Sequence, residues 1–155
     1  MPRDDRPTGL ELDSRRYLAS YVLFNQAVAD HLGMHPTDVQ CLNLLSIEPG
    51  PCTTGRIAEL TGLTSGSATR LVDRLERAGY VTRHRDEQDR RRVLVETLPA
   101  AMRRLGEFWD SLGADWQAMF DGYTEQELAL LSRHMRRTTE LAKRQIEHLR
   151  TLPPR

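Results

Sequence analysis

The residues best suited to chemistry are Ser65, Gly66, Ser67, Thr69, Arg70 and Arg74, followed by Arg83, Arg85, Arg90 and Arg91. They bring hydroxyls, a glycine and guanidinium groups, with no base set beside a nucleophile. That is the chemistry of recognising an anion or a base edge, not of breaking a bond. Small residues in the first turn of a helix let its backbone approach a surface closely, and Thr69 and Arg70 next in line can reach base edges in a major groove. Thr64 is the expected cap of that helix. The positions facing away from Leu71, Val72 and Leu75 are Ser67, Arg70, Asp73, Arg74 and Arg77. From Thr64 to Val95 eight arginines stand against five acids, whereas the whole chain balances 22 basic residues with 22 acidic ones. A charge run is usually only a solvated face. A face without a partner, however, would mix long Glu and Lys side chains from its first turn, and this one does not.

These residues need elements to hold them. Ala58, Gly62 and Ala68 have the spacing of a helix-turn-helix, in which a small residue allows close approach and glycine takes the turn. Ile57, Leu60, Leu63, Ala68, Leu71, Val72 and Leu75 form the expected shared core. Spacing alone fits an ordinary helical pair equally well; the outward face favours a DNA reader. Residues 80–97 change period and predict a β-hairpin with a polar tip. Arg83, His84 and Arg85 lie on one arm and Arg90, Arg91 and Arg92 on the other, as in a wing along a DNA backbone and minor groove. Asp89, two residues before Arg91, is expected to orient it, since an exposed ion pair there adds only ~0.5 kcal/mol or less.

Upstream, an apolar stripe through Leu18, Tyr21, Val22, Asn25, Val28, Ala29 and Leu32 predicts a helix stopped by Gly33. Thr37 to Gln40 fits a capping box for a second helix that ends before Pro49-Gly50-Pro51. Downstream, Pro99 suits a first helical turn, and Met102, Leu105, Trp109, Leu112, Trp116, Met119 and Phe120 run close to a heptad seam. Thr124 to Glu127 is another capping box, before a last helix striped by Leu128, Leu131, Met135, Ala142 and Leu149. The reading is a mainly α chain with a small β-hairpin.

Zero net charge excludes a binder that works by bulk charge but allows a local patch. No apolar run is long enough for a membrane span, and the first residues do not form a secretory signal. With two cysteines, Cys41 and Cys52, there is no disulfide framework, and a reducing cytoplasm is the expected compartment. No nucleophile elbow or phosphate loop is present. An enzyme is not expected, nor is a cofactor. His31 and His35 are four apart, but Gly33 and Pro36 interrupt the helix that would align them. A polar helix end fits them better than a metal pair, so no metal is expected.

The run from Thr64-Ser-Gly-Ser-Ala-Thr-Arg70 to Asp89-Arg-Arg-Arg-Val-Leu-Val95 resembles the MarR family of bacterial transcription regulators. The stretch from Leu32 to Leu42 resembles the start of that family's second helix. The likeness spans about residues 12–149. It departs in Thr97-Leu98, where the family usually has Leu-Thr. The resemblance implies a winged helix-turn-helix in an intertwined homodimer that binds double-stranded DNA at a pseudo-palindromic operator. Many such proteins are repressors relieved by small phenolic or other lipophilic compounds. Residues 1–9, polar and without periodicity, read as a loose arm, before a single domain at 10–149 and a tail at 150–155. Within the domain, 10–33 and 99–149 would be dimerisation helices and 36–98 the DNA-binding lobe. The helix from Ser65 would be the recognition helix and Arg91 the arginine of the minor groove, with Thr54 completing the contact set. The family's oxidation sensors carry a cysteine on the first helix, and this chain has none there. Asn25 either fixes dimer register or lines an effector pocket with Phe24, His35 and Trp109. The competing reading is a winged-helix dimer that binds protein, against which the outward arginines argue.

Overall fold

In the computed structural model the described residues are 9–153. The expected arm at 1–9 therefore lies, apart from Gly9, outside them. The elements run α1 (Leu10–Leu32), α2 (Pro36–Leu45), β1 (Cys52–Thr53), α3 (Thr54–Thr61), α4 (Ser65–Arg77), β2 (Val81–Arg85), β3 (Val93–Thr97), α5 (Pro99–Asp121) and α6 (Glu125–Thr151). They fall into two compact units, one ending at Arg104 and the other beginning at Leu105.

The first unit is built around the helix-turn-helix. On α4 the buried residues are Ala68, Leu71, Val72 and Leu75, the i, i+3, i+4, i+7 set of a single helical face. They share a core with the fully buried Leu42, Ile57, Val81 and Val95. α3 and α4 are each capped by a threonine: Thr53 Oγ1 accepts from the Arg56 amide and Thr64 Oγ1 from the Ser67 amide. Between them Gly62 takes φ +71°, the left-handed region, with nothing within 4 Å of where a Cβ would stand. Gly62→Ala therefore adds backbone strain and no clash. The expected result is a loss of ~1–2 kcal/mol, seen as a lower urea midpoint at unchanged slope.

The sheet has three antiparallel strands in the order β1-β3-β2. The hairpin of β2 and β3 pairs Val81 with Thr97 through Arg85 with Val93, within the span expected for it. β1 is an addition to the expected elements. It pairs Cys52 with Val95 and Thr53 with Leu94, tying the hairpin's root to the start of α3. A second difference concerns α2. It starts at Pro36 with His35 as N-cap, so the Thr37 to Gln40 box does not begin it. Proline suits the first helical position, and the His35 ring Nδ1 accepts from the Thr37 amide at 3.3 Å.

The second unit comprises most of α5 and all of α6. The Thr124–Glu127 capping box is formed on both sides. α6 has no buried residue and runs to Thr151, into the expected tail at 150–155, whose last two residues lie outside the described ones. Leu130, Met135 and Leu149 are 54%, 51% and 64% exposed. No helix among the described residues is long and apolar enough to cross a membrane.

Candidate nucleic-acid interface

Ser65, Gly66, Thr69 and Arg70 are exposed on the first turn and a half of α4, and Ser67 is half-buried. Their polar contacts are local. Thr64 Oγ1 donates to Ser67 Oγ (3.1 Å), Thr69 Oγ1 donates to the Ser65 carbonyl (2.9 Å), and Arg70 Nη2 donates to Ser67 Oγ (3.3 Å). Thr54, the first residue of α3, is half-buried. Of the expected contact set, Ser65, Gly66, Thr69 and Arg70 are exposed, while Arg74 and Arg83 carry acidic partners.

Arg74, beside Arg70 on α4, is exposed and already holds an acidic partner. Its guanidinium forks onto Asp38 in the first turn of α2, Nε to Oδ2 at 3.0 Å and Nη2 to Oδ1 at 2.6 Å. Asp38 is the buried charged residue of the core, and pairing with it raises the Arg74 pKa above its ordinary value. Arg83 likewise has acidic partners. From the first arm of the wing it turns back onto α4, with Nη1 on Glu76 and Nη2 on Asp73 Oδ1 (2.6 Å). The Glu76 carboxylate also accepts from the Arg83 amide at 3.2 Å. A guanidinium is drawn to carboxylates held in a rigid frame, Arg74 forking onto the single carboxylate of Asp38 and Arg83 bridging those of Asp73 and Glu76. The partners lie on other elements, Asp38 on α2 against Arg74 on α4, and Asp73 and Glu76 on α4 against Arg83 on β2, so the periodicity of one helix does not reveal them.

The wing tip keeps Arg85, Arg90 and Arg91 exposed. Asp89 acts on Arg91 through the backbone, its Oδ1 accepting from the Arg91 amide at 3.1 Å, while its carbonyl accepts from the Arg92 amide. Arg92 reaches Asp86 at 3.6 Å. The turn is thereby tied at its backbone, and the Arg91 side chain is exposed.

The expected effector residues fall in both units. Asn25 and His35 both belong to the α1–α2 joint, where Asn25 Nδ2 donates to the Pro36 carbonyl at 3.5 Å and His35 caps α2. Phe24 is half-buried on α1. Trp109 belongs to the second unit and packs edge-to-face on Phe108 with ring centres 5.3 Å apart. A cavity of about 330 Å³ in the first unit is lined by other residues, among them Leu45, Glu48, Pro51 and Val95.

Cys41 and Cys52 are both free and buried. Burial, with Asp38 nearby, pushes the Cys41 thiol up to about 12, and burial raises Cys52 as well. A thiol held neutral is a poor nucleophile. Both are expected to react with a chromogenic disulfide reagent at neutral pH only when the chain unfolds; stoichiometric reaction of the folded protein within minutes would contradict this. The same shift makes stability pH-dependent. The unfolded Cys41 thiol ionises near its ordinary 9.0 and the folded one not until about 12, so its contribution is intact below 9 and is lost between those values.

A helix-turn-helix with an exposed polar first turn, followed by an arginine-tipped wing on a three-stranded sheet, defines a winged-helix DNA-binding regulator. The comparisons with known proteins agree. Residues 32–92 match the MarR family. The HTH-type transcriptional regulator YcgE of Bacillus subtilis is 40% identical over 129 residues, 83% of each chain. Among solved structures, a MarR family protein from Bacillus stearothermophilus superposes with a TM-score of 0.68 at 24% identity, over 86% of this chain and 93% of its own. NadR, solved with 4-hydroxyphenylacetate, gives a TM-score of 0.67 at 18% identity, over 92% and 99%. This chain belongs to the MarR family of transcriptional regulators.

Proposed function

We propose that this regulator is a homodimer that binds a pseudo-palindromic operator and blocks transcription, acting in the cytoplasm. The first turn of α4 enters the major groove and Arg91 the minor groove, with Thr54, Arg85 and Arg90 along the backbone. The observation that carries this reading is the outward row Ser65, Gly66, Thr69 and Arg70 in the same unit as the exposed Arg90 and Arg91. The reach of a single helix argues for two copies. One recognition helix reads only a few base pairs, so a stable site needs two half-sites about one helical turn apart.

The dimer would be made by the helices at 10–33 and 99–149 around a DNA-binding lobe at 36–98. Its support is apolar exposure: Leu18, Val22 and Leu23 on α1 are 61%, 66% and 70% exposed, and α6 has bare apolar side chains of its own. Patches of that kind on a monomer are a liability. Sedimentation at micromolar concentration is expected to give twice the chain mass; a folded monomer would overturn the reading.

Relief by a small lipophilic or aromatic compound is part of the proposal. Its support is the polar Asn25–Pro36 contact and the His35 cap at the α1–α2 joint, and the aromatic acid that the similar NadR binds. Such a compound acts only through different affinities for the DNA-competent and DNA-released states. Selection from fragmented genomic DNA, followed by gel shift with and without 4-hydroxyphenylacetate and related aromatic acids, tests the whole proposal. A shared inverted repeat in the selected fragments is the expected result. Enrichment of no sequence, or retention of a protein instead, would overturn it.

A further inference from the structure

We propose that Asp38 and Arg74 are a positioning pair for DNA reading, and that Arg74 aims the recognition helix without touching DNA. This rests on α4 being the helix that reads DNA. Arg74 stands one helical turn beyond Arg70 on the same side of α4, so whatever fixes Arg74 also fixes the direction of Arg70. The fork to Asp38 fixes it at two atoms, 3.0 and 2.6 Å, and a two-point attachment resists both rolling and sliding of the helix.

The carboxylate end is equally fixed. The Asp38 side chain is only 6% exposed, in the first turn of α2. A negative charge is favoured there by the helix N-terminus, but burial requires that it also be paired. An Arg74 that left for a phosphate would strand Asp38 without its cation. The pair also spans 36 residues of sequence and joins α4 to the helix that His35 caps and Asn25 contacts, so it is a direct polar link from the α1–α2 joint to the reading head.

The test separates aiming from contact through the salt dependence of binding. Removing a side chain that holds one phosphate lowers the slope of log K against log salt by about one unit. The probes are a random-sequence duplex and the duplex that the wild-type protein selects from genomic DNA. For Arg74→Gln the slope on the random duplex is expected to stay at the wild-type value, while affinity for the selected duplex falls about tenfold, the worth of one misdirected base contact. Asp38→Asn is expected to weaken binding to the same extent, and Asp38→Asn with Arg74→Gln to be no worse than the weaker single variant. A slope lowered by one unit in Arg74→Gln, or tight binding by Asp38→Asn with its arginine released, would show Arg74 to be a DNA contact. Should Asp38→Asn fold poorly by circular dichroism, Arg74→Lys decides. It keeps the charge and loses the fork, so affinity for the selected duplex should still fall; wild-type binding by Arg74→Lys would overturn the proposal. The random-duplex arm needs no operator, so a chain that selects no sequence defeats the operator reading and leaves this test standing.

Discussion

Arg91→Ala is expected to weaken binding to operator and random DNA alike and to flatten the log–log salt slope by about one unit. The minor groove offers strong negative potential and little sequence information, so an arginine entering it contributes mostly affinity. Arg91 is exposed at a tip whose backbone is held by Asp89, which fixes where the guanidinium starts but not its partner. Arg70→Ala should behave oppositely. Arg70 is exposed on α4, lightly tethered to Ser67, and able to form a bidentate pair with a guanine worth ~1–3 kcal/mol of discrimination. Its removal should lower operator affinity about tenfold or more and leave random DNA almost unchanged. A salt titration of both variants on both duplexes is the measurement. Equal weakening on the two duplexes for Arg70→Ala, or a purely specific effect for Arg91→Ala, would show the roles to be misassigned.

The next residue along α4 should give the largest effect on stability. Leu71 has no exposed surface and lies in the core shared by α3, α4 and the sheet. Leu71→Ala removes its burial and leaves a cavity, a change that costs ~2–5 kcal/mol. Against a typical total of about 5–15 kcal/mol this lowers the fraction folded sharply and takes DNA binding with it. Urea unfolding followed by circular dichroism reads it directly. The contrast with Arg70→Ala, one position away and expected to leave stability within about 0.5 kcal/mol of wild type, is the discriminating comparison. Similar destabilisation by both would mean that the outward face of α4 is not outward.

Much of this architecture is written in local patterns. The 3.6-residue spacing of Leu71, Val72 and Leu75 marks the buried side of α4, Thr64 and Thr124 mark helix starts, and the switch of period after Tyr80 marks the hairpin. Each is a short-range signal carried by neighbouring residues. What the sequence hides is long-range. β1 is two residues long, too short for any alternation to show, and exists because β3 supplies its hydrogen bonds from some forty positions downstream. The α2 cap lies two residues before the expected one because a proline starts that helix and a histidine ring does the work of a hydroxyl. A helical wheel likewise sorts Arg70 and Arg74 onto one solvent-facing side. It carries no information about a carboxylate on another element, which is why the pattern alone does not show that Arg74 and Arg83 have acidic partners.

Consecutive residues Asp73 and Arg74 lead away from α4 in different directions, one to Arg83 at the wing's root and the other to Asp38 on α2. The far half of the helix is therefore anchored on two sides, whereas the polar contacts of Ser65, Ser67, Thr69 and Arg70 stay within the near half. Anchoring and reading thus reside in separate stretches of one continuous helix. A gene copy that exchanges residues at 65, 67, 69 and 70 inherits an intact mounting, so its target can diverge without a detour through misfolded intermediates. Changes at 73 or 74 carry no such freedom, since each must be matched by a compensating change in a distant part of the chain. The division predicts an evolutionary tempo: rapid turnover of target sequence among duplicated copies, around a slowly changing clamp.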